Sequence, residues 1–219
     1  EQGIQYELGT RVNLFNNATQ FEVSLYQINL TNLLVTKRIT EDIFTGINAG
    51  KTKHWGIEFM LKQRIFRLPS FPGSMHVNAN YTWSSNKFVD FIDNEQVFNG
   101  KQLPGIPSHV GQAFFKWQPV NRLNLDAQFQ FVGNQYIDDA NTIKNDSYFI
   151  SNLRASYRLS NSQFGYFEFF VGINNLIDIH YSPMLTVNAV AFGNAEPRYY
   201  YPGFPRHYYG GVRFNINPL

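Results

Sequence analysis

Apolar and polar residues alternate along most of this chain, in nine separate runs. The clearest two lie in residues 147–178. Phe149, Leu153, Ala155, Tyr157 and Leu159 share one face, and Tyr148, Asn152, Arg154, Ser156 and Arg158 share the other. After a polar turn, Phe167, Phe169, Val171 and Ile173 oppose Glu168, Gly172 and Asn174. A period of two is that of a β-strand with one apolar and one polar side. Strands of about ten residues are long enough to cross a bilayer when tilted. Strands of soluble sandwiches are nearer five or six residues.

The other runs follow the same rule. Ile4, Tyr6, Leu8, Val12 and Leu14 face away from Gln5, Glu7, Arg11 and Asn13, and Asn16-Asn17 predicts a tight hairpin turn. Phe21, Val23 and Leu25 begin a second strand. Its phase slips near Tyr26 and Gln27, where Ile28 and Leu30 take over, so a bulge is expected there. Trp55, Ile57, Phe59 and Leu61 mark a third strand, and Met75, Val77, Ala79, Tyr81 and Trp83 a fourth. The fifth, over residues 109–117, is ambiguous, because Ala113, Phe115 and Trp117 compete with Val110 and Phe114. The sixth sets Leu123, Leu125, Ala127, Phe129 and Phe131 against Asn124, Asp126, Gln128 and Gln130. The ninth sets Tyr208, Gly210, Val212, Phe214 and Ile216 against His207, Tyr209, Arg213 and Asn215. Connections after the odd strands are short and those after the even strands are long, the asymmetry of barrels with short periplasmic turns and long extracellular loops. The fold class expected is all-β: a transmembrane antiparallel up-and-down β-barrel.

Composition supports this reading. Charged residues are 16% of the 219, against a usual quarter, and aromatics are 17%, with 21 Phe and 13 Tyr. Mean hydropathy is only −0.30, and no run approaches the eighteen or so apolar residues of a membrane helix. A barrel reconciles a membrane protein with modest hydropathy, because only alternate residues meet lipid. No Cys is present, which excludes disulfides and thiolate metal sites. The net charge of +2 carries little information about partners. The opening EQGIQYELG lacks the basic start and apolar stretch of a signal peptide, so in an exported protein Glu1 is expected to follow earlier residues.

Five pieces, in order, carry a family resemblance. They are YELGTRVNLFNN from Tyr6, NAGKTKHWGIEF from Asn48, LPGIPSH from Leu103, GINNLID from Gly172 and PGFPRHYYGGVRF from Pro202. Together they resemble the C-terminal part of the β-barrel of a TonB-dependent outer-membrane receptor. The chain departs from the family's usual aromatic ending by continuing Asn-Pro-Leu after Ile216. Such receptors have about 22 strands and a plugged lumen. The resemblance therefore implies that residues 1–219 are one portion of a longer barrel, with a plug domain and about thirteen strands upstream. It also implies a bacterial cell outer membrane location and no cofactor. The function it implies is import of a ligand such as a ferric siderophore, ferric citrate or haem. The partners are TonB, acting through the plug, outer-membrane lipid, and a small-molecule or iron-chelate ligand, with no nucleic acid. A glycan importer, or a receptor-like barrel serving as a structural component of an envelope complex, are the alternatives.

No catalytic constellation stands out, and no enzyme is expected. His54, His76, His109, His180 and His207 form no metal-binding spacing. Lumen-facing Arg11, Arg64, Arg154, Arg158 and Arg213 invite an anionic ligand, against the plainer reading of a polar wall paired with Glu7, Glu58, Asp126 and Glu168. Candidate ligand contacts lie on the longest loop, 178–205: His180, Tyr181, Met184, Tyr199, Tyr200 and Tyr201. Loop-to-loop packing is the competing reading for those tyrosines. Asp138-Asp139 is read as a solvated acidic loop rather than a cation site.

Overall fold

The computed structural model describes residues 1–38, 44–48, 50–68, 71–93, 95–160, 165–189, 191 and 196–216. Nine long strands form one sheet: β1 (Gln2–Leu14), β2 (Thr19–Thr31), β3 (Lys51–Leu68), β4 (Phe71–Asp90), β5 (His109–Val120), β6 (Leu123–Val132), β7 (Tyr148–Ser160), β8 (Gly165–Asn174) and β9 (His207–Ile216). Each pairs antiparallel with its neighbours in chain order, from β1 at one edge to β9 at the other. This is an up-and-down meander, and it matches the nine runs of alternation.

The register turns nine amphipathic strands into two continuous faces. One apolar row reads Val77, Phe115, Ala127, Leu153, Ile173 and Tyr208 across β4 to β9. The polar row beside it reads His76, Lys116, Asp126, Arg154, Gly172 and Tyr209. A slip of one residue anywhere would exchange the faces, so the alternation itself fixes the pairing. The pairing also resolves β5: Ala113, Phe115 and Trp117 join the apolar face, and Val110 and Phe114 join the polar one.

Two expectations need correction. No bulge occurs near Tyr26 and Gln27, because β2 pairs without interruption from Thr19 to Thr31 on both sides. Ile28 and Leu30 instead lie on the polar face, where Leu30 leans over Gly3. The register shifts that do occur lie between Lys51 and Thr52, between Phe66 and Leu68, and between Leu123 and Leu125. The last sits opposite Pro119, which has no N–H to give to a ladder. Second, β3 and β4 are longer than expected, with 18 and 20 residues. Roughly ten suffice to cross a bilayer, so this hairpin runs beyond the membrane. Residues 69–70 between β3 and β4, residues 161–164 where the sequence predicts a polar turn, and the Asn-Pro-Leu ending lie outside the described residues.

The short turn after β1 follows its sequence. Asn16 and Asn17 hold φ of 52° and 64°, and Ala18 N donates to Phe15 O at 3.0 Å. Two left-handed central residues make the turn whose twist matches a hairpin, and Asn is among the few side chains that tolerate it.

Candidate functional site

The long connections at one end of the sheet hold the candidate site. Each carries a small ribbon of its own: Leu34–Arg38 with Phe44–Asn48, Ile92–Asp93 with Gln96–Val97, Gln135–Tyr136 with Lys144–Asn145, and Met184–Leu185 with Tyr200–Tyr201. The last three loops are tied to one another. Asn141 Nδ2 donates to Gln102 O at 2.8 Å, and Gln102 N donates to Asn141 Oδ1 at 2.7 Å. Asn188 Nδ2 donates to Asp139 Oδ2 at 2.9 Å, while Asp139 N donates to Asn188 Oδ1 at 3.0 Å and Asn188 N to Ile137 O at 2.9 Å. Both asparagines hold left-handed backbones, with φ of 58° and 52°. Beneath them Ile137 is fully buried, and Phe88, Phe91 and Phe98 form an apolar cluster against Leu103 and Ala140. Loop 133–147 is thus the middle of a three-loop rim.

The acidic pair of that loop is engaged within the protein. Asp138 accepts from the amides of Thr142 and Ile143, each at 2.8 Å, and from the Thr142 hydroxyl. Burial pushes Asp139 above the usual carboxylate range against the hydrogen bond from Asn188, and the nearby charges of Asp93 and Asp138 push it the same way. Among the described residues no group of three or more His, Asp or Glu is placed to hold a metal ion.

The longest loop is closed at its base by two motif residues. Asn175, almost fully buried, donates through Nδ2 to Ile179 O and Phe204 O and accepts at Oδ1 from Ile179 N. Asp178 accepts from Arg206 N at 2.8 Å and from its guanidinium at 3.0 Å. The Arg206 amide, then its guanidinium, holds the Asp178 carboxyl below its ordinary range. GINNLID and PGFPRHYYGGVRF thus meet in space.

The six loop candidates separate into two groups. Met184, Tyr200 and Tyr201 come together on the small ribbon and are exposed, with Tyr199 beside Tyr200 at a ring separation of 6.2 Å. Tyr200 also reaches loop 133–147, donating to Lys144 O at 3.3 Å. Tyr181 packs on Gly203 and on the Tyr148 ring at 5.0 Å, a packing position, while His180 is exposed nearby.

Arg11, Arg64, Arg154, Arg158 and Arg213 all lie on the polar face. Arg154 sits between Glu168 at 2.9 Å and Asp126 at 3.8 Å, over the Phe170 ring. Arg158 covers Tyr166, and both Arg158 and Arg213 stand directly across from Glu168. Arg11 pairs with Glu22 rather than with Glu7, which accepts from Ser24 and Gln5. The asparagines of the loop junctions and the Asp178–Arg206 pair were not singled out from sequence. For the loop-junction asparagines isolated Asn in polar loops is the only signal, and it does not say which backbone will be left-handed, while Asp178 and Arg206 lie in two quoted motifs whose pairing the sequence does not show.

The sequence model of the family described as "TonB dependent receptor-like, beta-barrel" matches residues 1–176. The chain belongs to the TonB-dependent receptor family. The family consists of receptors and transporters of the bacterial outer membrane, which places this chain in that membrane. A curated relative, the "Ferrioxamine receptor" of Yersinia enterocolitica, is 27% identical over 144 residues, 66% of this chain and 19% of its own length. The siderophore receptor PiuA from Acinetobacter baumannii superposes with a TM-score of 0.73 at 19% identity, over 97% of this chain and 28% of the receptor. The unliganded ferric citrate transporter FecA also gives 0.73, at 21% identity over 96% of this chain and 31% of its own. At such identities the superpositions show a shared fold. The chain spans about a fifth of the first of these relatives.

Proposed function

We propose that this chain is the C-terminal nine strands of a TonB-dependent receptor that imports a ferric siderophore or a similar iron chelate. In this reading the apolar face meets lipid and the polar face lines the lumen around an upstream plug. The loop rim stands outside and meets the ligand, and TonB pulls on the plug from the periplasm. The observation that carries it is the rim itself. Three loops are braced into one body, and the ribbon on that body presents Met184, Tyr200 and Tyr201 outward. A braced apolar and aromatic surface holds a bulky chelate with little ordering cost. Relatives named for ferrioxamine favour that class of ligand. The paired arginines of the wall act as lumen structure, since their charges are already met by Glu22, Asp126 and Glu168.

Binding of ferrioxamine and ferric citrate to the complete receptor, followed by quenching of intrinsic fluorescence, tests this. Deleting residues 187–200 should weaken binding at least tenfold, about 1.4 kcal/mol, with the folded barrel still extracted intact. Unchanged binding would move recognition elsewhere. Binding of an oligosaccharide instead of either chelate would favour glycan import.

A further inference from the structure

The apolar face is not uniform. Between β4 and β9 it holds an open groove of about 620 Å³. The groove follows two adjacent rows of the register. Its floor is small, Ala127 and Ala155, and its walls are large, with Phe115, Leu153, Val171 and Ile173. Trp117 and Met75 close the lower end, and Tyr208 stands at the upper one.

We propose that this groove is a binding site for one acyl chain of an outer-leaflet lipid. The site rests on the reading that the apolar face meets hydrocarbon. The length fits the occupant. Five strand spacings separate β4 from β9, about 24 Å at 4.8 Å each. Barrel strands tilt by about 40°, so a path along the hydrogen-bonding direction descends only about 15 Å into the bilayer. That is half of a hydrocarbon core of roughly 30 Å, the depth of one leaflet. The direction fits as well. Tyr208 lies at the extracellular end of β9, where a ring with an apolar body and a polar tip marks the membrane interface. Trp117 lies near the opposite end of β5.

The energetics favour a seated chain over passing lipid. An empty furrow forfeits dispersion contacts along its whole lining. A chain lying on two alanines between the larger side chains of Phe115, Leu153, Val171 and Ile173 regains them on three sides, whereas a chain on the smoother face is touched on one. The gain comes at the cost of ordering the chain, so the expected signature is slow exchange.

The experiment uses the complete receptor, reconstituted with a phospholipid that carries a photoreactive diazirine in its acyl chain. Irradiation in the bilayer should label the groove residues Ala127, Leu153 and Ala155, and also Leu25 and Ile57, which lie on the same face outside it. When the receptor is instead exchanged into detergent first and irradiated afterwards, labelling should persist in the groove roughly tenfold over Leu25 and Ile57. Ala155→Phe, and the milder Ala155→Leu, should abolish that excess while leaving Leu25 labelled in the bilayer. Equal loss from both regions, or an excess unchanged by both variants, overturns the site. Absence of bilayer label on Leu25 and Ile57 overturns the sidedness and the groove with it.

Discussion

Gly172 shows how one residue holds two strands in place. A Cβ there would lie 2.3 Å from the Tyr209 ring, which crosses the glycine from β9. Gly56 takes the Tyr26 ring from β2 in the same way, and Gly211 takes Phe170. An aromatic ring laid over a glycine fills the space the missing side chain leaves and pins the register. Gly172→Val should force Tyr209 aside and cost about 1–3 kcal/mol. The thermal midpoint of barrel unfolding checks it, and Tyr209→Ala should remove most of the difference. Asp178 makes a second test. Its carboxyl is held below the ordinary range by Arg206, so the folded state binds fewer protons than the unfolded one in that interval. The stabilisation is therefore complete above the unfolded value near 3.9 and lost as pH falls below it. Protection of the Arg206 amide, taken relative to its intrinsic exchange rate at each pH, should hold down to about pH 4 and decline below it. In Asp178→Asn the step should vanish.

At the scale of elements, strands and loops differ in how far the sequence discloses them. All nine strands were legible, because a period of two over ten or more residues has one physical meaning. Turn chemistry at Asn16-Asn17 was equally plain. Ile28 and Leu30 misled, because apolar residues on the polar face imitate a change of phase. Only the continuous pairing to β1 and β3 shows that they stay in step. The loops were legible as loops and little more, since their ties are between residues far apart in the chain, such as Gln102 with Asn141 and Asp139 with Asn188. The candidate tyrosines illustrate the limit. Tyr181 turns inward to Gly203, while Tyr200 and Tyr201 stay exposed, and nothing in the local sequence separates them. Asn188→Ala should loosen the tie between loops 175–206 and 133–147, removing the two side-chain hydrogen bonds to Asp139 at about 1 kcal/mol each. Faster amide exchange at Asp139, with β7 and β8 unchanged, is the expected result. For the strands, Phe169→Arg should cost about 2–4 kcal/mol in a bilayer, measured by folding into vesicles. Glu168→Gln should instead act through its partner Arg154 and leave insertion unaffected.

For the whole molecule, the nine-stranded sheet accounts for the composition. Few charges and many aromatics suit a wall that is apolar on one side only, and modest hydropathy follows from the other side. Membership of the TonB-dependent receptor family gives this wall its context, and the rim of three braced loops gives the proposal its surface. The most direct test of that proposal is uptake of radioactive iron, presented as ferrioxamine, by cells carrying the complete receptor. The account predicts accumulation that disappears without TonB and falls at least tenfold when Tyr200 and Tyr201 are both changed to Ala. Accumulation that persists without TonB, or that ignores the loss of both tyrosines, would contradict it.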